Sequence, residues 1–269
     1  MHISIAAEPI FTIGSFNVTN SFMSSVITSL ILMVVAISIS VIVKIRPGRF
    51  QAVIEEFLIF ILDLAESNGG KAARKFVPLT LTMFFFILLS NWIGLLPGFG
   101  SILINKLEHG EMESIPLFRG ATADLNTTLA LALVAFFSIQ FYGISKSKLG
   151  YFKKFIDFSN PLNFFVGILE LISEFAKIIS FSFRLFGNVF AGEVLLAVMI
   201  GLVPFLVPLP FLGLEVFVGF IQALVFAMLT MIFIQLAISQ HGAEEGSSEH
   251  SKEVTKEIEG LKAEKAVGI

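Results

Sequence analysis

The sequence has no cysteine. Disulfides, thiol catalysis, iron–sulfur clusters and cysteine-ligated zinc are therefore excluded. Charge is scarce as well: 14% of the 269 residues are Asp, Glu, Lys or Arg, where a soluble domain carries roughly 25%. The net charge is −3, with no basic stripe to neutralise phosphates, which excludes nucleic acid as a partner. The 4 His (His2, His109, His241 and His250) are scattered, without a pair at helical ligand spacing, so no metal centre is expected. No GxxxxGKS/T loop is present to cradle a nucleotide phosphate, and no cofactor is expected. An intramembrane enzyme would need Asp-rich motifs, HExxH or a Ser/His pair, and none appears.

What the chain has instead is apolar residues, 55% of it, with 31 Phe, in long unbroken runs. Such runs fit a bilayer rather than a compact core. The first, Phe22 to Val43, is too long for a signal-peptide core and reads as a spanning helix. Phe76–Leu96 and Leu125–Ile144 read the same way. Val194–Leu214 is preceded by a helical stretch that carries Glu170, Glu174, Lys177, Arg184 and Glu193, and Pro204, Pro208 and Pro210 then break the pattern. The reading is a long polar-studded helix, a Pro-rich turn and a second long helix, together a hairpin. Between the first two spans, the acids of Phe50–Glu66 fall near one stripe, as in an amphipathic helix lying on the membrane surface.

The fold class expected is thus an all-α membrane protein with five transmembrane helices, at about 22–43, 76–96, 125–144, 161–202 and 211–240, and a surface helix at about 50–66. Residues 1–240 form one membrane domain, and 241–269 a hydrophilic, low-complexity tail read as mobile rather than folded. Orientation follows from the cations beside the spans. Lys44, Arg46, Arg49, Lys71, Arg74, Lys75, Lys146, Lys148, Lys153 and Lys154 stand against only Lys106 and Arg119 in the 97–123 loop. The N-terminus and that loop are placed outside, the tail in the cytoplasm.

An ionisable group inside the membrane costs a few kcal/mol and is retained where something uses it. Arg184 is the strongest case. Its guanidinium keeps its proton at any accessible pH, so it can serve as a fixed charge but not as a relay. Its i±4 positions hold Ser180 and Asn188 rather than a carboxylate, and Glu170, Lys177, Ser180, Arg184 and Asn188 share one helical stripe. Glu170 and Lys177 could equally form a charge cluster near the cytoplasmic interface. Glu193, nine residues past Arg184, lies on the opposite face and has no cation nearby in sequence. Asn91 and Asn126 suit either a helix cap or an interhelical hydrogen bond. A cationic face with a carboxylate on its back can keep two aqueous pathways apart.

SEFAKIISFSFRLFGNVFAGE (Ser173–Glu193) resembles the signature of subunit a of the F-type rotary ATP synthase, whose core is RLFGN followed by AGE. NWIGLLP (Asn91–Pro97), ADLNTTLALAL (Ala123–Leu133) and FIQALVFAMLT (Phe220–Thr230) are similar to the family's other blocks, in the same order, so the resemblance runs from about residue 22 to 240. It implies a non-catalytic, proton-translocating stator subunit in a bacterial plasma (inner) membrane. The implied partners are the c-ring subunits, the peripheral-stalk b subunits, other ATP synthase subunits and the lipid bilayer. Carried over by position, Arg184 faces the ring carboxylate, Asn188 sits beside it, and Gln222 is the neighbour of Arg184. Glu193 and Glu215 line the outer half-channel; Glu170, Lys177, Ser180 and Asn126 are further pathway candidates. Two positions depart from the pattern: Lys177 is followed by Ile178 where many relatives have Pro, and some relatives have His at the Glu215 position.

The hairpin can be checked independently. In an antiparallel pair, Arg184 against Gln222 and Glu193 against Glu215 both centre the fold-back near Val203–Pro204. Arg184 and Glu193 nevertheless lie on different faces, so straight helices could not make both contacts. An autonomous secondary transporter or ion channel is the rival reading. Paired broken helices in two halves would favour it, and only one Pro-broken region is present.

Overall fold

The computed structural model describes residues 7–14, 16–44, 48–96, 102–108, 111–147, 161–203 and 206–267. Six α-helices are found among them: α1 (Asn20–Ile42), α2 (Arg49–Gly69), α3 (Val77–Gly94), α4 (Leu125–Ser147), α5 (Pro161–Leu202) and α6 (Pro208–Val267). Short 3-10 turns occupy Gly70–Lys75 and Ala121–Ala123. Five helices, α1 and α3 to α6, contain a stretch long and apolar enough to cross a membrane. α2 is the amphipathic exception, with Glu55, Glu56, Asp63 and Glu66 along it. The protein is an all-α membrane protein in class.

The helix ends have local causes. Thr19 caps α1, its hydroxyl accepting from the Phe22 amide at 3.2 Å, which satisfies one of the orphan donors of a first turn. α6 begins at Pro208 rather than near 211. Both Pro208 and Pro210 fit its first turn, where a missing N–H breaks no bond; a proline cluster therefore marked a helix start as well as a turn. Pro204 lies outside the described residues, as do Arg46, Lys148, Lys153 and Lys154 of the cationic flanks.

Two features differ from the sequence reading. α6 does not stop near 240 but runs on to Val267, through a segment rich in Glu, Lys and Ala, all strong helix formers. And two antiparallel hairpins stand where no structure was expected. β1 (Pro9–Ile13) pairs with β2 (Phe16–Thr19), next to Gly14 at φ 63°, a left-handed backbone that suits glycine. β3 (Leu103–Glu108) pairs with β4 (Glu111–Pro116) in a register that sets Lys106 opposite Glu113.

The chain divides into two compact units. The first takes residues 1–136 and 174–231, and so contains both hairpins, α1 to α3, the start of α4, residues 174–202 of α5 and the start of α6. Its core is built from Phe84 and Ile87 of α3, Leu185 of α5 and Phe226 of α6, all buried. Phe84 meets Phe220 edge-on at 5.9 Å between ring centroids, and Phe181 meets Phe226 at 5.0 Å, arrangements that suit the ring quadrupoles. Ala65 of α2 packs with Ala73, Val77 and Met231, which ties the surface helix to the bundle. The second unit takes residues 137–173 and 232–269; Ile139 and Ile234 are buried in it. Large apolar side chains elsewhere point outward, Val34 at 62% exposure and Phe175 at 59%. Water would not tolerate such a surface, and lipid does.

Candidate functional site

Each polar residue of the hairpin is set by its helix phase. α5 is 42 residues long, about 63 Å at 1.5 Å per residue, roughly twice the hydrocarbon thickness of a bilayer. It carries Lys177, Ser180, Arg184, Asn188 and Glu193 in the first unit, while Glu170 falls in the second. Lys177 donates to the Glu174 carboxylate at 2.8 Å in an i,i+3 pair, with the Glu174 side chain nearly buried. Arg184 is exposed, and its guanidinium donates to Ser180 Oγ at 3.3 Å. Among the described residues it makes no ion pair. Ser180, Gly187, Asn188 and Ala191 are exposed beside it.

Gln222 is buried on α6, and its side-chain oxygen accepts from Asn188 Nδ2 at 2.7 Å. The sequence reading set Gln222 beside Arg184. The structure pairs it with Asn188, one turn further along α5, and Arg184 turns outward. Close by, Asn91 of α3 donates to the Gly219 carbonyl at 3.1 Å, and Trp92 Nε1 donates to the Val216 carbonyl at 3.1 Å. α3 is thereby fastened to α6 through side chains that reach its backbone. Asn126 is not in this group: its amide and side chain both donate to Asp124 Oδ1, at 3.2 and 3.4 Å, and it is exposed at the start of α4.

Glu215 sits against Gly192. A methyl group added at Gly192 would overlap the Glu215 carboxylate, so the absent side chain is what gives that carboxylate its place. This resolves the facing conflict in the sequence: Glu215 meets the backbone of residue 192 while Glu193, next in the chain, points elsewhere. The two carboxylates lie within coulombic reach of each other.

Glu193 meets a residue that sequence reasoning treated only as a loop cation. Arg119 Nε lies 3.4 Å from Glu193 Oε2, with side-chain exposures of 11% and 29%. The same guanidinium sits over the Phe190 ring at 6.0 Å. The signal available in the sequence was position alone: Arg119 stands five residues before Asp124, just ahead of the ADLNTT block. No group of His, Asp and Glu among the described residues is arranged to hold a metal ion. The site presents an exposed fixed charge at Arg184 and, further along the hairpin, two acids close to each other with a cation on one of them.

The fold and this constellation define a multi-pass membrane protein with ionisable groups set into a hairpin of two long apolar helices. A family model described as ATP synthase A chain matches residues 21–235. The ATP synthase subunit a of Gloeobacter violaceus is 37% identical over 222 residues, which cover 81% of this chain and 84% of that one. The chain belongs to the ATP synthase A chain family.

Proposed function

We propose that this chain is the proton-translocating stator subunit of a rotary ATP synthase, working against a ring of c subunits and assembled with peripheral-stalk b subunits and other ATP synthase subunits. Arg184 carries the reading. A guanidinium exposed on an apolar helix, with Phe183 at 56% and Ile179 at 57% exposure nearby, is costly against lipid. That cost falls when a partner surface brings an anion to it. A ring helix with a membrane-embedded carboxylate is such a partner, and the small residues Gly187 and Ala191 let it approach closely.

Protons enter from outside past Glu193 and Glu215, pass to a ring carboxylate, travel with the ring and leave to the cytoplasm. Arg184 separates the two half-channels. As a charge that cannot deprotonate, it attracts the ionised ring carboxylate and offers a proton no direct route across. Asn188 and Gln222, bonded across the hairpin, hold α5 and α6 in register beside it. Lys177, Glu174, Ser180 and Glu170 stand on the cytoplasmic side of Arg184 and are candidates for the exit pathway. ATP chemistry belongs to other subunits. The chain sits in a bacterial plasma membrane with its N-terminus outside, so a label at Glu111 reacts from outside and a reporter after Ile269 reads as cytoplasmic.

The test is substitution of Arg184 in the assembled complex. Arg184→Ala abolishes proton-coupled ATP synthesis and ATP-driven pumping while the chain still inserts. Arg184→Lys fails too, because a lysine can give up its proton beside a carboxylate. Normal ATP-driven pumping by Arg184→Ala vesicles contradicts the proposal.

A further inference from the structure

We infer that Arg119, in the loop ahead of α4, is a positioning residue for Glu193, holding that carboxylate toward the loop while Glu215 occupies the space at Gly192. The inference rests on the reading of Glu193 as a proton acceptor given above.

The geometry starts with the loop itself. Ala121, Thr122 and Ala123 are buried almost completely, although they belong to no long helix. Thr122 donates its hydroxyl to Asn91 Oδ1 at 2.6 Å, and Asn20 at the start of α1 donates to the Pro116 carbonyl at 3.4 Å. Leu117 donates its amide to the Ile102 carbonyl at 2.8 Å. The backbones of Gly94 and Gly120 touch so closely that a Cβ on residue 94 would lie 3.0 Å from Gly120 Cα. Arg119 is therefore delivered from a strap pinned to α1 and α3, not from a free loop. Much of the conformational entropy a long side chain loses on pairing is reduced when its backbone is already fixed.

The strap then meets α5 at two points. The Arg119 guanidinium bonds Glu193 and lies over Phe190, three residues earlier and so on the same face of the helix. On the other side of the carboxylate, Gly120 leaves Glu193 Oε1 its room, since a Cβ there would stand 3.2 Å from that oxygen. One oxygen of Glu193 thus faces the cation and the other the bare backbone of the next residue. Removing the cation leaves Glu193 with Glu215 as its charged neighbour, and like charges in a partly dehydrated site push apart. Proton transfer needs donor and acceptor within about 2.6–3.2 Å, so a carboxylate that swings away stops accepting. A cation as little exposed as Arg119 is expensive to keep unless it is paired, which fits a pair that is used.

The competing account is that Arg119 only anchors the loop to α5. The two accounts differ in coupling. In reconstituted complexes, with proton flow measured per assembled complex, Arg119→Gln lowers the flow about tenfold, an effect within the usual range for directly coupled charged neighbours. Arg119→Lys, which retains a cation, stays within about threefold of the parental rate. In a Glu193→Gln background, Arg119→Gln brings no further loss, because the residue it positions no longer titrates. Parental flow in Arg119→Gln, or losses that multiply in the double variant, overturns the inference. Where Arg119→Gln does not assemble, Arg119→Met keeps an apolar stem over Phe190 and carries the same expectations. The single variant Glu193→Gln separates the two proposals: parental flow there removes the role of Glu193 and this inference with it, whereas impaired Glu193→Gln with normal Arg119→Gln removes this inference alone.

Discussion

The two charged regions of α5 are nine residues apart, about 13 Å of helix rise, yet they are built in opposite ways. At Arg184 a cation faces outward, supported by one serine hydroxyl and flanked by exposed apolar side chains. At Glu193 and Glu215 the charged groups face other parts of the same chain: the Arg119 guanidinium, the notch at Gly192 and the bare backbone of Gly120. The second region is finished within this subunit. The first, on the proposed reading, is finished when another surface supplies the anion. Under the proposed function, a channel and a contact point share one helix by using different faces of it.

Substitutions that act on the finished region should lower proton flow without removing any contact to a partner. The largest effect is expected for Glu193→Gln, which retains shape and hydrogen bonding but cannot titrate; a fall of about a hundredfold, the low end of what a positioned acid or base contributes, is expected in passive proton conduction. Parental conduction would make the region a passive wall.

Gly192→Ala comes next. The added methyl meets only the far end of the flexible Glu215 side chain, so the fold yields cheaply and the carboxylate is displaced. Flow should fall about tenfold with assembly unchanged, a displacement effect smaller than loss of the acid itself. Gly94→Ala provides the contrast, because its methyl meets the Gly120 backbone at 3.0 Å and should destabilise the fold by about 1–3 kcal/mol. Thermal unfolding of the two variants would separate them, and equal losses of stability would blur the distinction.

Glu215→Gln should lower flow measurably but less than Glu193→Gln, and Glu215→His should restore part of it, since imidazole also carries protons near neutral pH. A histidine variant no better than the glutamine one would argue that Glu215 only fills its notch. The smallest effect is expected for Asn188→Ala, which removes one neutral hydrogen bond to Gln222, worth about 0.5–1.5 kcal/mol. It should reduce stability slightly and proton flow by less than Gly192→Ala does.

Much of this layout was legible in the sequence, for definite reasons. α5 could be bounded at 161 and 202 because charged residues recur on a helical stripe and prolines bracket the run. The hairpin register was readable to within a turn: the expected partner of Gln222 was Arg184 and the observed one is Asn188. The offset is four residues, about one helical turn, which periodicity within each helix does not resolve. Arg119 was not legible, because its distance to Glu193 is set by where a loop is pinned, by Asn20, Asn91 and Gly94 on other helices. The space at Gly192 was hidden for a related reason, since a glycine in sequence does not say which side chain will use the room. The β3–β4 hairpin lies in a segment with no clear alternation of apolar and polar residues to announce a strand, and the polarity of the α6 continuation argues against a core rather than against a helix.

The central claim is that the Arg184 face is completed by a partner, and the natural absence of cysteine makes it directly measurable. Ala191 is exposed, seven residues from Arg184 and on the same side of α5. In the assembled complex, Ala191→Cys should form a disulfide with a cysteine placed one turn from the membrane carboxylate of a ring subunit, while Ala223→Cys, at a position buried inside this chain, should not. Cross-linking of the Ala191→Cys variant under oxidising conditions is the result the account predicts. Failure to cross-link there, with the introduced thiol instead reacting freely with a lipid-soluble maleimide in the intact complex, would mean that this face meets lipid, and would contradict it.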